Sequence, residues 1–406
     1  MSCRPYWFRQ APKARARAWG WGVLIPLLAM VPTWAGVPAR PYTGETHRAG
    51  AAAPANVTAT AAILVDARSG QVLYGRNPHL SWPPASTTKI MTALVALEHA
   101  HLDTMIEITP EVAHFREGSV VGLPEGARIS LHDLLYALLL PSGNDVALAV
   151  AEGVAGSVPA FVDLMNDRAQ ELGARQTHFT SPHGLYDRDH YTTAYDLALI
   201  ADAAMQNPVF REVVHTRRWT FSVPGHRSRW LFNHNRLLSR YPGADGVKTG
   251  YVHQSGQTLV ASATRNGWRL IAVLLHSRDE WGDAARLLTY GFAHYHSTEV
   301  ASVGEPLAVA QLSPGGALLT GVVPRPVYAA LLPGEVVRRQ VSLDSHVALP
   351  IRRRARVGEV DFYVSGRLLR SAPLVAAEDV TNPMGLPGLM GWFGRVVWDL
   401  SAVSRL

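Results

Sequence analysis

From residue 58 onward the chain changes the spacing of its apolar positions several times. Ala61-Ala62-Ile63-Leu64-Val65 and Gln71-Val72-Leu73-Tyr74 flank the polar stretch Asp66-Ala67-Arg68-Ser69-Gly70, which predicts a hairpin. Apolar positions at helical spacing then follow over Lys89–His101, His132–Leu140, Asp145–Gly156, Val158–Leu172 and Thr193–Gln206, with a last one over Gly282–His294. Strand-like runs return at Trp219–Val223, Thr258–Ala263 and Trp268–Leu275. Strands at both ends with helices between them predict an α+β domain, one sheet with helices packed on it, over 58–297. From about Val300 to Val380 short Val- and Leu-rich runs alternate with Pro and Gly, and no helical period persists. This predicts a small all-β domain, a sandwich, over 298–382.

The two ends follow different patterns. Arg4, Arg9, Lys13, Arg15 and Arg17 precede an apolar run from Ala18 to Val31, and Thr33-Trp34-Ala35 supplies small residues beyond it. This predicts an export signal over 1–35. The run is broken by Pro26 and Pro32 and is short for a bilayer span. Residues 36–57, rich in Ala, Pro, Gly and Thr, read as a linker. At the other end Leu389, Trp392, Phe393, Val396, Leu400 and Val403 fall on one face of a helix. That predicts an amphipathic helix over 383–406 lying in a membrane interface. Asp399 and Trp398 make its stripe imperfect.

Composition narrows the reading. The 406 residues are 48% apolar and 17% charged, enough to bury a sizeable core and too little charge for a disordered chain. The net charge of +6 suits anionic surroundings without naming one. Arg352-Arg353-Arg354-Ala355-Arg356 concentrates part of it. The single cysteine, Cys3, falls in the leader, so the mature chain is expected to hold no disulfide, cysteine zinc site or thiol nucleophile.

Three short motifs carry chemistry. Ser86-Thr87-Thr88-Lys89 opens a predicted helix, where residues three apart share a face. Ser86 is a candidate nucleophile and Lys89 its base, provided burial or a nearby cation keeps the amine neutral. Ser142-Gly143-Asn144 follows Pro141 between two apolar helices. Lys248-Thr249-Gly250 precedes the Thr258–Ala263 strand, and Gly250 would let a ligand backbone come close to a strand edge. A phosphate-binding loop is excluded because Val247, not glycine, precedes Lys248. Each motif alone also suits an ordinary helix cap or turn.

Together and in this order, S-x-x-K, S-x-N and K-T-G form the motif set of the serine β-lactamases and penicillin-binding proteins. Ala85–Leu94, Pro141–Asp145, Gly246–Tyr251, Ser181-Pro182-His183-Gly184-Leu185 and Tyr191-Thr192-Thr193-Ala194 resemble the low-molecular-mass D-alanyl-D-alanine carboxypeptidases, serine peptidase family S11. The resemblance implies a β-lactamase/transpeptidase-like domain of helices on an antiparallel sheet. It implies Ser86, Lys89 and Ser142 as catalytic residues, and Asn144, Lys248, Thr249, Gly250 and Tyr251 as substrate-binding ones. The oxyanion would meet the backbone N–H groups of Ser86 and Tyr251. Substrates would be peptidoglycan stem peptides ending in D-Ala-D-Ala, and β-lactams would be covalent inhibitors. No cofactor, metal or nucleic acid is implied. The expected location is the outer face of the bacterial cytoplasmic membrane. One departure stands out: Asp283 occupies the place where some members carry a carboxylate-binding arginine, leaving Arg278 or Arg286 as open substitutes. The Glu-x-x-Leu-Asn string of class A β-lactamases is missing between the second and third motifs, as is H-E-x-x-H. His183 and His190 are therefore expected to be structural or rim residues. Cross-linking transpeptidases share the three motifs but usually in longer chains with different accessory domains, whereas endopeptidase action stays open.

Overall fold

The computed structural model describes residues 54, 56–312, 317–344, 347 and 349–381. The expected leader, nearly all of the linker and the C-terminal amphipathic helix lie outside the described residues. Val57, the last residue of the expected linker, is already buried.

The chain runs β1 (Ala61–Asp66), β2 (Gln71–Arg76), a 3-10 turn (Ala85–Thr88), α1 (Lys89–His99), β3 (Met105–Glu107), α2 (Pro110–Ala113), β4 (Arg128–Ser130), α3 (Leu131–Leu139), α4 (Asn144–Ala155), α5 (Val158–Glu171), α6 (Ala194–Gln206) and α7 (Pro208–His215). It continues with β5 (Arg218–Phe221), β6 (Arg229–Phe232), α8 (Leu237–Arg240), β7 (Ala244–Val252), β8 (Gly256–Arg265), β9 (Trp268–Ser277) and α9 (Glu280–His294). The remaining strands are β10 (His296–Ala301), β11 (Pro306–Gln311), β12 (Leu318–Val322), β13 (Val327–Leu331), β14 (Val337–Leu343), β15 (Arg356–Val364) and β16 (Arg367–Ala376). The expected α+β class holds. The predicted hairpin is β1–β2, and the six helical patterns match α1, α3, α4, α5, α6 and α9 to within two residues at each end.

The central antiparallel sheet has the order β2-β1-β9-β8-β7. Both faces are covered. Ile63, Val65, Val260, Ile271 and Val273 pack on the helical layer built around α1. Ala62, Leu64, Leu259, Leu270 and Leu274 pack on Ala284, Leu287 and Leu288 of α9. Burial on both faces explains why β1 reads as an unbroken apolar run instead of alternating. In α1 every residue from Lys89 to Ala96 is buried, so a lysine enters the core with its helix.

Strands β11 to β16, with β10, enclose a separate core around Val357, Val360, Phe362 and Leu374. Their five-stranded sheet has the order β11-β12-β16-β15-β14, and β10 pairs with β13. This β-rich part meets the first sheet through the Gln71 side chain, which bonds both backbone groups of Ala330. The Arg370 guanidinium donates to the Ser69 carbonyl at 3.0 Å.

Asp283 has a structural task. It is fully buried and accepts from the backbone N–H of Thr58 and Ala59 and from the hydroxyls of Thr58 and Ser277. Arg286 donates to it at 2.6 Å. Burial alone would raise this carboxyl, but the bonds from Ser277, Arg286 and Thr58 outweigh it and hold the group below the usual carboxylate range. The clamp ties the start of the described chain to α9.

Candidate active site

The Ser86 turn is built under constraint. Ala85 sits at φ +51°, a conformation that side chains disfavour and that surrounding contacts must impose. Thr87 Oγ1 and Thr258 Oγ1 both donate to the Pro84 carbonyl, at 2.6 and 3.1 Å. Thr88 Oγ1 donates to the Ala85 carbonyl at 2.8 Å. Two glycines let neighbouring chain close in. A Cβ on Gly184 (φ +81°) would stand 2.0 Å from the Ala85 oxygen, and one on Gly250 would stand 3.0 Å from the Ser86 nitrogen. The close approach that Gly250 permits is therefore that of the nucleophile's own turn.

His190 completes the scaffold. Its Nδ1 accepts from the Thr180 backbone N–H at 3.0 Å, so the proton of a neutral ring lies on Nε2. That Nε2–H donates to Thr88 Oγ1 at 2.8 Å, and the Thr88 hydroxyl in turn donates to the Ala85 carbonyl. Burial holds His190 at about 4, so the ring stays neutral. His190→Ala is expected to slow Ser86 acylation by on the order of 10–100-fold through loss of positioning. His190→Gln, which can both accept and donate, should recover part of it. An unchanged acylation rate in His190→Ala would mean that the turn holds itself.

Lys89 stands one helical turn from Ser86, as the spacing requires. Its Nζ lies 3.0 Å from Ser86 Oγ, 2.7 Å from Asn144 Oδ1 and 2.8 Å from the His183 carbonyl. Asn144 Nδ2 donates to the Glu117 carbonyl at 2.9 Å, which fixes the amide orientation. The Asn144 and His183 oxygens can only accept. A neutral amine gives its two protons to them and turns its lone pair toward the Ser86 hydroxyl. Burial drives Lys89 well below the ordinary lysine range, and the nearby Lys248 charge pushes the same way against Asp145.

Lys248, Thr249, Gly250 and Tyr251 lie on β7, the edge strand of the central sheet. Lys248 is buried, donates to the Thr249 carbonyl at 2.9 Å and is lowered by burial to about 7. Ser142 sits at φ +68° between α3 and α4. Its buried hydroxyl has no hydrogen-bond partner among the described residues. Next to Asn144, the Asp145 carboxylate accepts from the N–H groups of Val121, Gly122 and Leu123 and so shapes the loop ahead of it.

A cleft of about 620 Å³ opens over this arrangement, lined by Ser86, Ser142, Thr249, Gly250 and Tyr251. Lys89, Asn144 and Lys248 lie buried behind it. All eight residues expected from the sequence thus fall at one place. The cleft wall also holds Ser119, His234, Arg236, Glu280 and Trp281, which the motifs did not single out. Arg286 is engaged by Asp279 and Asp283, and neither it nor Arg278 lines the cleft. Among the described residues, Arg236 is the arginine that lines it. His183 stacks on Phe115, and burial keeps it neutral. A larger cleft, about 820 Å³, adjoins the end of α9 and residues 332–338 and contains none of the motif residues.

The D-alanyl-D-alanine carboxypeptidase family, peptidase family S11, matches residues 48–279, more than half of the chain. D-alanyl-D-alanine carboxypeptidase DacA of Haemophilus influenzae is 31% identical over 85% of this chain and 89% of its own. The DacF protein of Bacillus subtilis is 30% identical over 79% and 86%. The crystal structure of penicillin binding protein 5 from Haemophilus influenzae superimposes with a TM-score of 0.73 at 29% identity, covering 81% of this chain and 99% of that one. The described strands and helices, the motif geometry and these likenesses agree: the chain belongs to the S11 peptidases, the D-alanyl-D-alanine carboxypeptidase family.

Proposed function

We propose that this protein removes the terminal D-alanine from peptidoglycan stem peptides through an acyl-enzyme on Ser86, and that penicillins acylate the same serine. The observation that carries this is the buried Lys89 amine 3.0 Å from Ser86 Oγ. It is held neutral where a base is needed. Ser86 Oγ attacks the carbonyl carbon of the penultimate D-alanine while Lys89 takes the hydroxyl proton. The negative oxygen faces the backbone N–H groups of Ser86 and Tyr251. The C–N bond then breaks, and Ser142, which lines the cleft and whose hydroxyl has no partner among the described residues, relays the proton from Lys89 to the leaving amine. Water hydrolyses the ester, releases the shortened peptide and restores Ser86. Thr249 and the Lys248 charge receive the substrate carboxylate, with Arg236 in the cleft wall in place of the arginine that Asp283 replaces.

The reading of the ends supports a location to match. Five basic residues before the apolar run, and the apolar stripe of 389–403, favour export followed by attachment to the outer face of the cytoplasmic membrane. The reading is tested by incubating the protein with benzylpenicillin and mapping the adduct by mass spectrometry, alongside assay of D-alanine release from a short D-Ala-D-Ala peptide. An adduct on Ser86 with D-alanine release is expected. A protein that stays unlabelled and releases nothing would overturn the reading.

A further inference from the structure

The segment between Glu212 and Asp245 contains six arginines and no carboxylate. It forms β5, β6 and α8, and its β5–β6 hairpin has two unlike faces. Phe221 and Leu231 point into the helical core, and Trp219 stacks on Tyr136 at 3.8 Å between ring centroids. Trp230 and Phe232, two residues apart on β6, point the other way and are 54% and 59% exposed. Arg218 pairs with Phe232 across the hairpin, and its guanidinium lies 4.8 Å from the centre of the Trp230 ring. Exposed aromatic side chains grouped with a cation on a rigid strand pair mark a contact surface.

This surface joins the cleft wall through the chain. The chain passes from Phe232 straight into Asn233, His234 and Arg236 of the cleft wall. On the opposite, core-facing side of the same strand Arg229 donates to the Gly122 carbonyl, which ties the hairpin to the loop that reaches the cleft through Ser119. A substrate that extends past this wall of the cleft meets a face offering two flat apolar rings and the Arg218 guanidinium. The matching chemistry is a polymer of amino-sugar rings, whose apolar faces cover aromatic rings, bearing peptides with free carboxylates.

We propose that Arg218, Trp230 and Phe232 form a second binding surface for polymeric peptidoglycan, with sugar rings against Trp230 and Phe232 and a stem-peptide carboxylate at Arg218. The proposal rests on the carboxypeptidase reading above and adds to it the part of the substrate that the cleft does not hold.

The test compares full-length wild type with Trp230→Ser/Phe232→Ser and with Arg218→Gln. D-alanine release is measured on a short D-Ala-D-Ala peptide and on uncross-linked peptidoglycan strands. Penicillin labelling of Ser86 serves as the check on folding. With the short peptide, kcat/KM should stay within about twofold. With the polymer it should fall roughly 10–30-fold in the double variant, mainly through KM, as for loss of an aromatic anchor. Co-sedimentation with insoluble peptidoglycan, measured in a Ser86→Ala background, reads the same surface without turnover and should weaken in parallel. Equal losses on both substrates, or none on either, would overturn the proposal. So would unchanged sedimentation with peptidoglycan accompanied by altered self-association or altered binding to anionic vesicles, since the surface would then serve another occupant. A wild type that releases no D-alanine from the short peptide refutes the carboxypeptidase reading instead, and the sedimentation arm still reads the hairpin.

Discussion

Ser86→Ala is expected to abolish both D-alanine release and covalent labelling by penicillin. Loss of a nucleophile that acts as a unit with its base typically lowers turnover by on the order of a millionfold. Ser86 is not fully buried, its hydroxyl bonds only Lys89 among the described residues, and the strained turn beneath it is held by hydroxyl bonds from Thr87, Thr88 and Thr258 to backbone carbonyls. The variant should therefore fold normally and show an unchanged melting curve. Near-normal D-alanine release by a folded Ser86→Ala protein would remove the mechanism altogether.

The second large effect is expected at Lys248. Lys89 acts only as a neutral amine, so acylation is lost as pH falls through its folded pKa. Burial comes first in setting that pKa low, and the Lys248 charge adds to it. Lys248→Gln removes a like charge. The Lys89 pKa then rises, and the acid limb of the acylation profile moves to higher pH. Lys248→Arg keeps the charge and should move it less. Lys248 itself is lowered by burial to about 7, so the wild type loses this cation as pH rises through neutrality. Its KM for a carboxylate substrate should rise there, and that of Lys248→Gln should not. At neutral pH the Gln variant should acylate on the order of 10²–10³-fold more slowly, as when one electrostatic partner of a reacting group is removed. Wild type, Gln and Arg proteins sharing one pH profile would show that Lys248 does not tune Lys89.

Much of this arrangement was legible in the sequence because short-range geometry dictates it. Three-residue spacing on a helix brings Lys89 to Ser86, and Pro141-Ser142-Gly143 between two apolar runs has to be a turn. The length of β1 and its unbroken apolar character matched a strand buried on both faces. Other parts were hidden for identifiable reasons. Strand β7 carries Asp245, Gly246, Lys248 and Gly250, a poor strand composition, and is held as a strand by its ladder with β8. Helix α7 lies outside the six periodic runs although its start is well marked. Asn207 caps it by accepting from the N–H groups of Val209 and Phe210, and Pro208 opens it. Arg236 and His234 reach the cleft from a bend between β6 and α8, a short passage with no periodic signal. Asp283 illustrates the limit most clearly. Its position suggested a missing arginine, whereas only the fold reveals that a carboxylate there bonds residues 58 and 59.

The strand order has a consequence for when the site comes into being. Strand β1, the first strand of the described residues, is flanked in the sheet by β2 and by β9, so Ile63 waits for Val273. The Ser86 turn likewise lacks its support until Gly250 and Thr258 have been made and have folded back on it. Contacts of such long sequence separation form late and slowly. A growing or unthreading chain that has exposed Ser86 and Lys89 still has a solvated lysine of ordinary basicity beside an ordinary hydroxyl. Reactivity arrives only with closure of the sheet, and the nucleophile is silent until β7, β8 and β9 are in place.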